Sequence, residues 1–148
     1  MRCLLTDRAR CTGAPSPGCC PTTRFPCGRH ELDRRELGRY GEDAACAHLE
    51  GGGYTIVERN WRTRTGELDI IAAKGGTTVF VEVKSRSGTA FGEPEEAVTP
   101  LKVRRIRALA AQYLASSGRH GEVRFDVISV LVEPAGGLVE LRHLEQAF

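Results

Sequence analysis

Apolar and polar positions change period several times along the chain, and each change marks an element. From Asp33 to Glu50, Leu37, Tyr40, Ala44, Ala45, His48 and Leu49 form one arc at helical spacing, closed by Gly51-Gly52-Gly53. Tyr54 to Trp61 reads as a first strand. Leu68–Ala73 and Val79–Val83 are runs of β-forming residues, and Gly75-Gly76 between them suits a two-residue hairpin turn. Ser85 to Val98 reads as a loose loop able to line a site. Thr99 then caps a second helix, with Pro100 at its first position and Val103, Ile106, Leu109, Ala110, Tyr113 and Leu114 as the buried stripe. Arg124–Glu133 gives a fourth strand, Pro134–Gly137 a turn, and the residues from Leu138 a fifth strand. The strand–helix–strand crossover makes strands three and four parallel neighbours with a right-handed connection. The expected architecture is α/β, a mixed five-stranded sheet flanked by helices in the order αβββαββ.

Composition divides the chain into two parts. The 148 residues suffice for one domain with its own core. The formal charge is +2, but residues 1–30 hold five arginines and one acid, which leaves −2 on residues 31–148. Bulk charge therefore gives no argument for nucleic acid; any such argument must be local. Five of the six cysteines lie in the first 27 residues, at spacings that match no zinc-ligand pattern, and Cys46 is the sixth. Residues 1–32 read as a disordered Cys-, Pro- and Arg-rich extension, or as a stretch translated from a start set too early. Residues 33–148 read as the domain, and their cysteine use suits a reducing cytoplasm. No apolar run has the length of a signal peptide's core or of a membrane span.

The candidate chemistry sits on the hairpin. With Gly75-Gly76 as the turn, Asp69 falls opposite Glu82 and Glu67 opposite Lys84, and strand alternation turns all four to one face. Opposed carboxylates destabilise a sheet unless a cation joins them. Lys84 supplies one positive charge for three acids, and a hard divalent ion such as Mg²⁺ would balance the rest. A polar sheet face closed by a cross-strand salt bridge satisfies the same pattern. Arg59, Arg62 and Arg64 surround Trp61, an arrangement that either grips a nucleic-acid backbone or forms a solvated strand end. Lys102 falls on the buried side of the second helix, where it snorkels past the core edge or reaches toward a phosphate. Arg104, Arg105 and Arg107 read first as a solvated face, and His48 as a packed, hydrogen-bonded histidine.

Asp69 followed by Glu82-x-Lys84 on the next strand resembles the PD-(D/E)XK signature of the restriction-endonuclease-like fold. The wider pattern is Gly38-Arg39-x-Gly41-Glu42-x-x-Ala45, Asn60-Trp61-Arg62, Gly66-Glu67-x-Asp69, Phe80-Val81-Glu82-Val83-Lys84, Phe91-Gly92-x-Pro94, Lys102 and Arg124-Phe125-Asp126-Val127. It is similar to the YraN family of predicted endonucleases, distantly related to archaeal Holliday-junction resolvases. The likeness runs from about residue 33 to the end. Leu68 stands where the wider signature has proline, as in the YraN family itself.

The resemblance implies a metal-dependent endonuclease acting on DNA, with a branched or otherwise structured substrate as the first expectation and a non-catalytic nucleic-acid-binding module as the alternative. Asp69 and Glu82 would bind Mg²⁺ (or Mn²⁺) with the Val83 carbonyl, Glu42 would act through water or a second ion, and Lys84 would serve the attacking water. Arg62, Arg86 and Lys102 are candidates for phosphate contacts. Glu67 would anchor Lys84 or join the metal shell, and Asp126 is a secondary candidate. The expected partner is nucleic acid, without a membrane, and the reading is compatible with a homodimer.

Overall fold

The computed structural model describes residues 32–88, 99–133 and 137–148. In chain order these form α1 (Arg34–Gly51), β1 (Thr55–Thr63), β2 (Gly66–Lys74), β3 (Thr77–Ser87), α2 (Pro100–Ser117), β4 (Val123–Val132) and β5 (Leu138–Leu144). The expected αβββαββ order holds. The sheet runs β1-β2-β3-β4-β5, antiparallel except for the parallel β3/β4 pair that the crossover through α2 requires. Among the described residues, no helix is long and apolar enough to cross a membrane.

Local chemistry fixes the helix starts. Asp33 Oδ1 accepts the N–H groups of Arg35 and Glu36 at 2.7 and 2.8 Å, and Glu36 Oε2 accepts the Asp33 N–H at 3.1 Å, a reciprocal capping box. Thr99 caps α2 through the Lys102 N–H, with Pro100 in the first turn. Gly75 and Gly76 both take positive φ (57° and 88°), as a twist-matched two-residue hairpin turn demands. The resulting register, Lys74↔Thr77 through Ile70↔Val81, is the one anticipated from the glycines.

The central strands β2, β3 and β4 are buried on both faces. Toward α1, Ile70, Ala72, Val79, Val81, Ile128 and Val130 pack with Ala45, Cys46 and Leu49. Toward α2, Leu68, Ile71 and Phe80 pack with Ile106, Leu109, Ala110 and Tyr113. Trp61 is partly buried and packs against this second cluster, its ring edge-on to Tyr113 at 5.4 Å. Gly41 brings α1 close to β3, because a Cβ there would fall 1.7 Å from Ser85 Oγ and 2.9 Å from Ser85 Cβ. His48 is exposed, contrary to the packed reading, and meets the His143 ring edge-on at 5.4 Å. Ser85–Ser87 extend β3 instead of opening the loop, and Phe91-Gly92-x-Pro94 and residues 1–31 lie outside the described residues.

Candidate functional site

β2 and β3 stop pairing where their carboxylates would meet. The ladder ends at Ile70↔Val81, one step before Asp69 and Glu82. The Val83 N–H donates instead to Asp69 Oδ2, at 2.8 Å. On the other side of β2, β1 pairs through Arg59↔Ile70 and Trp61↔Leu68 with no pair between Asn60 and Asp69. Asn60 has φ 52°, the left-handed conformation that Asn tolerates better than most residues. This irregularity breaks the alternation, so that Leu68 and Ile71, three positions apart, join the same α2-side cluster. Glu67, Asp69, Glu82 and Lys84 nevertheless all border the cleft on the α2 side, as strand alternation leads one to expect. Asp69 sits at the break and lines both the large cleft toward α2 and a smaller hollow of about 390 Å³ toward α1.

The α2-side cleft, of about 1160 Å³, contains Asp69, Glu82, Lys84 and Lys102. Glu82 is 8% exposed and carries two ammonium groups on one oxygen: Lys84 Nζ lies 2.6 Å from Oε1, and Lys102 Nζ contacts the same atom. The proposed Glu67–Lys84 pair is not formed. Glu67 is half exposed and pairs with Arg62 at 3.1 Å, across β1/β2, because Arg62↔Glu67 is a ladder pair. Burial pushes the Asp69 carboxyl up to about 7, helped by the charges of Glu82 and Glu42 and opposed by the Val83 N–H and Lys102. Burial alone would lower the Lys102 ammonium, but its contacts with Glu82 and Lys84 outweigh it and hold the group above its ordinary value.

Glu42 approaches Asp69 from α1, positioned by the close Gly41 contact and by Asn60, whose Nδ2 donates to Glu42 Oε2 at 2.6 Å. In the sequence Asn60 stands out only as part of Asn60-Trp61-Arg62. Arg59 turns away from the cleft onto Asp43 at 2.7 Å, with Glu42 at 3.7 Å. Arg62, Arg64, Arg104 and Arg105 line the α2-side cleft, so two members of the supposed solvated face of α2 are cleft wall. Arg107 lies instead over the Phe125 ring, and exposed Arg86 is not part of the cleft lining.

Asp126 belongs elsewhere. It is fully buried and accepts from Arg124 Nε and Nη2 at 2.9 and 2.8 Å and from the Gln146 N–H at 3.1 Å, with His143 Nε2 at 2.9 Å. Burial would raise its carboxyl, but the His143, Arg124 and Gln146 bonds win and hold it below its ordinary value. Arg124 also reaches the Tyr54 hydroxyl, whose proton goes to Glu145 at 2.9 Å. This network ties β4, β5 and the start of β1 together and shares no side-chain contact with the Asp69–Glu82 centre.

The fold and cleft define an α/β domain whose sheet, at the point where two central strands part, carries a carboxylate–lysine centre between basic walls. The chain belongs to UPF0102, an uncharacterised protein family, whose sequence profile matches residues 41–130. That span contains Glu42, Asn60, Asp69, Glu82, Lys84 and Lys102. The UPF0102 protein of Rhodococcus jostii is 50% identical over 113 residues, covering 76% of this chain and 95% of the relative. A UPF0102 protein of Mycolicibacterium smegmatis is 57% identical over 108 residues, covering 71% and 87%. One from Desulforamulus reducens is 44% identical over 119 residues, covering 78% and 98%.

Proposed function

We propose that the protein is a cytoplasmic, Mg²⁺-dependent endonuclease of the YraN type, with Mn²⁺ as an alternative ion and branched or otherwise structured DNA as its first substrate. The observation that supports this best is the convergence of Asp69, Glu82 and Lys84 where β2 and β3 part, inside a cleft lined with arginine. The donor set suits a hard ion. Asp69, Glu82 and Glu42 offer only oxygen, and the Asp69 carboxyl, raised first by burial and then by the charges of Glu82 and Glu42, is a place where a cation would favour the ionised form. Among the described residues, no three His, Cys, Asp or Glu form a ready cage. Asp69 and Glu82 would be the direct ligands, with the Val83 carbonyl, water and substrate oxygens completing the shell, which is the habit of Mg²⁺. Glu42 would act through water.

When bound, the ion supplies charge for the phosphate and acidifies water. Lys84 would orient the attacking water and meet the charge that develops on the phosphoryl oxygens. Lys102 would leave Glu82 for a phosphate oxygen. The split between β2 and β3 leaves the Asp69 carboxylate accessible from both openings. One observation favours a non-catalytic binding module instead: two ammonium groups on a single Glu82 oxygen neutralise the centre without any metal.

Cleavage of duplex, single-stranded, flap and four-way-junction DNA with Mg²⁺ or Mn²⁺ tests the assignment, with Glu82→Ala as the inactive control. Lys84→Met should slow single-turnover cleavage by at least about a hundredfold, the size of a lost general acid–base or charge-stabilising group. Affinity measured in Ca²⁺ should change little. Equal loss of binding and cleavage would make Lys84 a phosphate contact, and stabilisation by metal without any cleavage would support the binding module.

A further inference from the structure

The outer part of the cleft has an unbalanced charge that the acidic centre does not explain. Residues 31–148 carry −2, yet the cleft is lined by six cations against three acids, Glu67, Asp69 and Glu82. Four of the cations have partners. Lys84 and Lys102 share Glu82, Arg62 pairs with Glu67, and Arg105 Nε donates to the Thr65 carbonyl at 2.8 Å. Arg64 and Arg104 are exposed, and among the described residues neither has an acidic partner. They stand on facing walls, Arg64 on the β1–β2 turn and Arg104 on the first turns of α2. Arg105 joins those walls through its bond to Thr65, so their separation is fixed by the fold.

Cations held on opposite lips of a cleft repel each other and concentrate positive potential in the space between. The α1-side hollow has no such excess, because its two cations, Arg34 and Lys84, face two acids, Glu42 and Asp69. We propose that the trough between the β1–β2 turn and the start of α2 is the track for the phosphate backbone of a nucleic-acid strand, with Arg64 and Arg104 as its principal contacts. The proposal rests on reading the cleft as a nucleic-acid site. It adds the direction of approach: the strand is gripped on the α2 side of the centre and not on the α1 side.

Binding of short fluorescent single-stranded and duplex oligonucleotides in EDTA, followed from about 50 to 200 mM salt, tests it without needing metal or turnover. The double variant Arg64→Gln/Arg104→Gln should lose at least about tenfold in affinity. Its log–log salt slope should shrink by roughly 1.4 to 1.8, the release expected from two phosphate contacts. The charge-reversed pair Arg64→Glu/Arg104→Glu should bind more weakly still, and Arg107→Gln, outside the cleft, should leave the slope unchanged. An unchanged slope in the double variant, an equal drop in Arg107→Gln, or competition by polyglutamate as strong as by unlabelled oligonucleotide would each overturn the trough. Wild-type binding that depends on Arg64 and Arg104 without cleavage would sustain the trough while refuting the nuclease. Intact cleavage with unchanged affinity in the double variant would do the reverse.

Discussion

Replacing Asp69 by Asn should stabilise the metal-free protein, and by more at high pH. The carboxyl is raised from 3.8 to about 7, first by burial, then by the charges of Glu82 and Glu42. Below its unfolded value the group is protonated in both states and has no effect. As pH rises further, the unfolded chain releases the proton and the folded chain keeps it, so stability falls until about pH 7 and is constant above. At about 1.36 kcal/mol per pH unit, the ceiling is about 1.6 kcal/mol at pH 5 and about 4 kcal/mol at pH 8. Relaxation and water at the cleft mouth reduce both figures. Asn keeps an oxygen to accept the Val83 N–H, so the substitution removes the charge and spares the bond. Urea unfolding in EDTA should place Asp69→Asn about 1–3 kcal/mol above wild type at pH 8, with a smaller margin at pH 5. Saturating Mg²⁺ should remove the margin by stabilising only the wild type. A variant less stable by the same amount at both pH values would refute the reasoning and make the carboxylate a structural anchor.

Gly41→Ala should cost about 1–3 kcal/mol in urea unfolding, because its Cβ meets Ser85; Ser85→Gly in the same chain should restore most of the loss. Asp126→Asn should cost about 3 kcal/mol near neutral pH by leaving Arg124 poorly partnered. Since the Asp126 carboxyl is held below its ordinary value, that contribution is present above the unfolded value and vanishes as pH falls through the folded one. Acid titration of unfolding should show the wild type and variant converging. Deleting residues 1–30 should leave the melting temperature nearly unchanged, since that stretch has no core-forming periodicity.

Much of the fold was legible because short-range signals set it. Gly75-Gly76 fixed the β2/β3 register to the residue, and Asp33, Thr99 and Pro100 marked the helix starts. The second opening of Asp69, toward α1, was not legible, since strand alternation presumes regular backbone and the left-handed Asn60 lies nine residues away on the neighbouring strand. Asn at that position was the available hint. The β2/β3 register puts Glu67 opposite Lys84 and leaves it the choice of that lysine or the metal shell; β1 offers Arg62 as the nearer cation. Lys102 could be placed on the right side of α2, but its contact with Glu82 depends on where the helix start crosses the sheet. The same holds for Arg104 and Arg105, exposed but on the cleft wall: helical spacing gives a face, and the packing decides what that face overlooks.

The bond from Val83 to Asp69 makes the end of the sheet an indicator of the site's chemical state. Elsewhere between β2 and β3 the strands are joined by main-chain groups whose acceptor strength does not vary. At Val83 the acceptor is an ionisable carboxyl, so protonation, a bound cation or substitution at Asp69 changes the bond that spans the gap. The Val83 amide resonance should therefore report occupancy of the centre directly, without turnover. Its shift and its exchange with solvent should follow Asp69, while the Val81 amide, within the regular ladder, supplies the fixed reference.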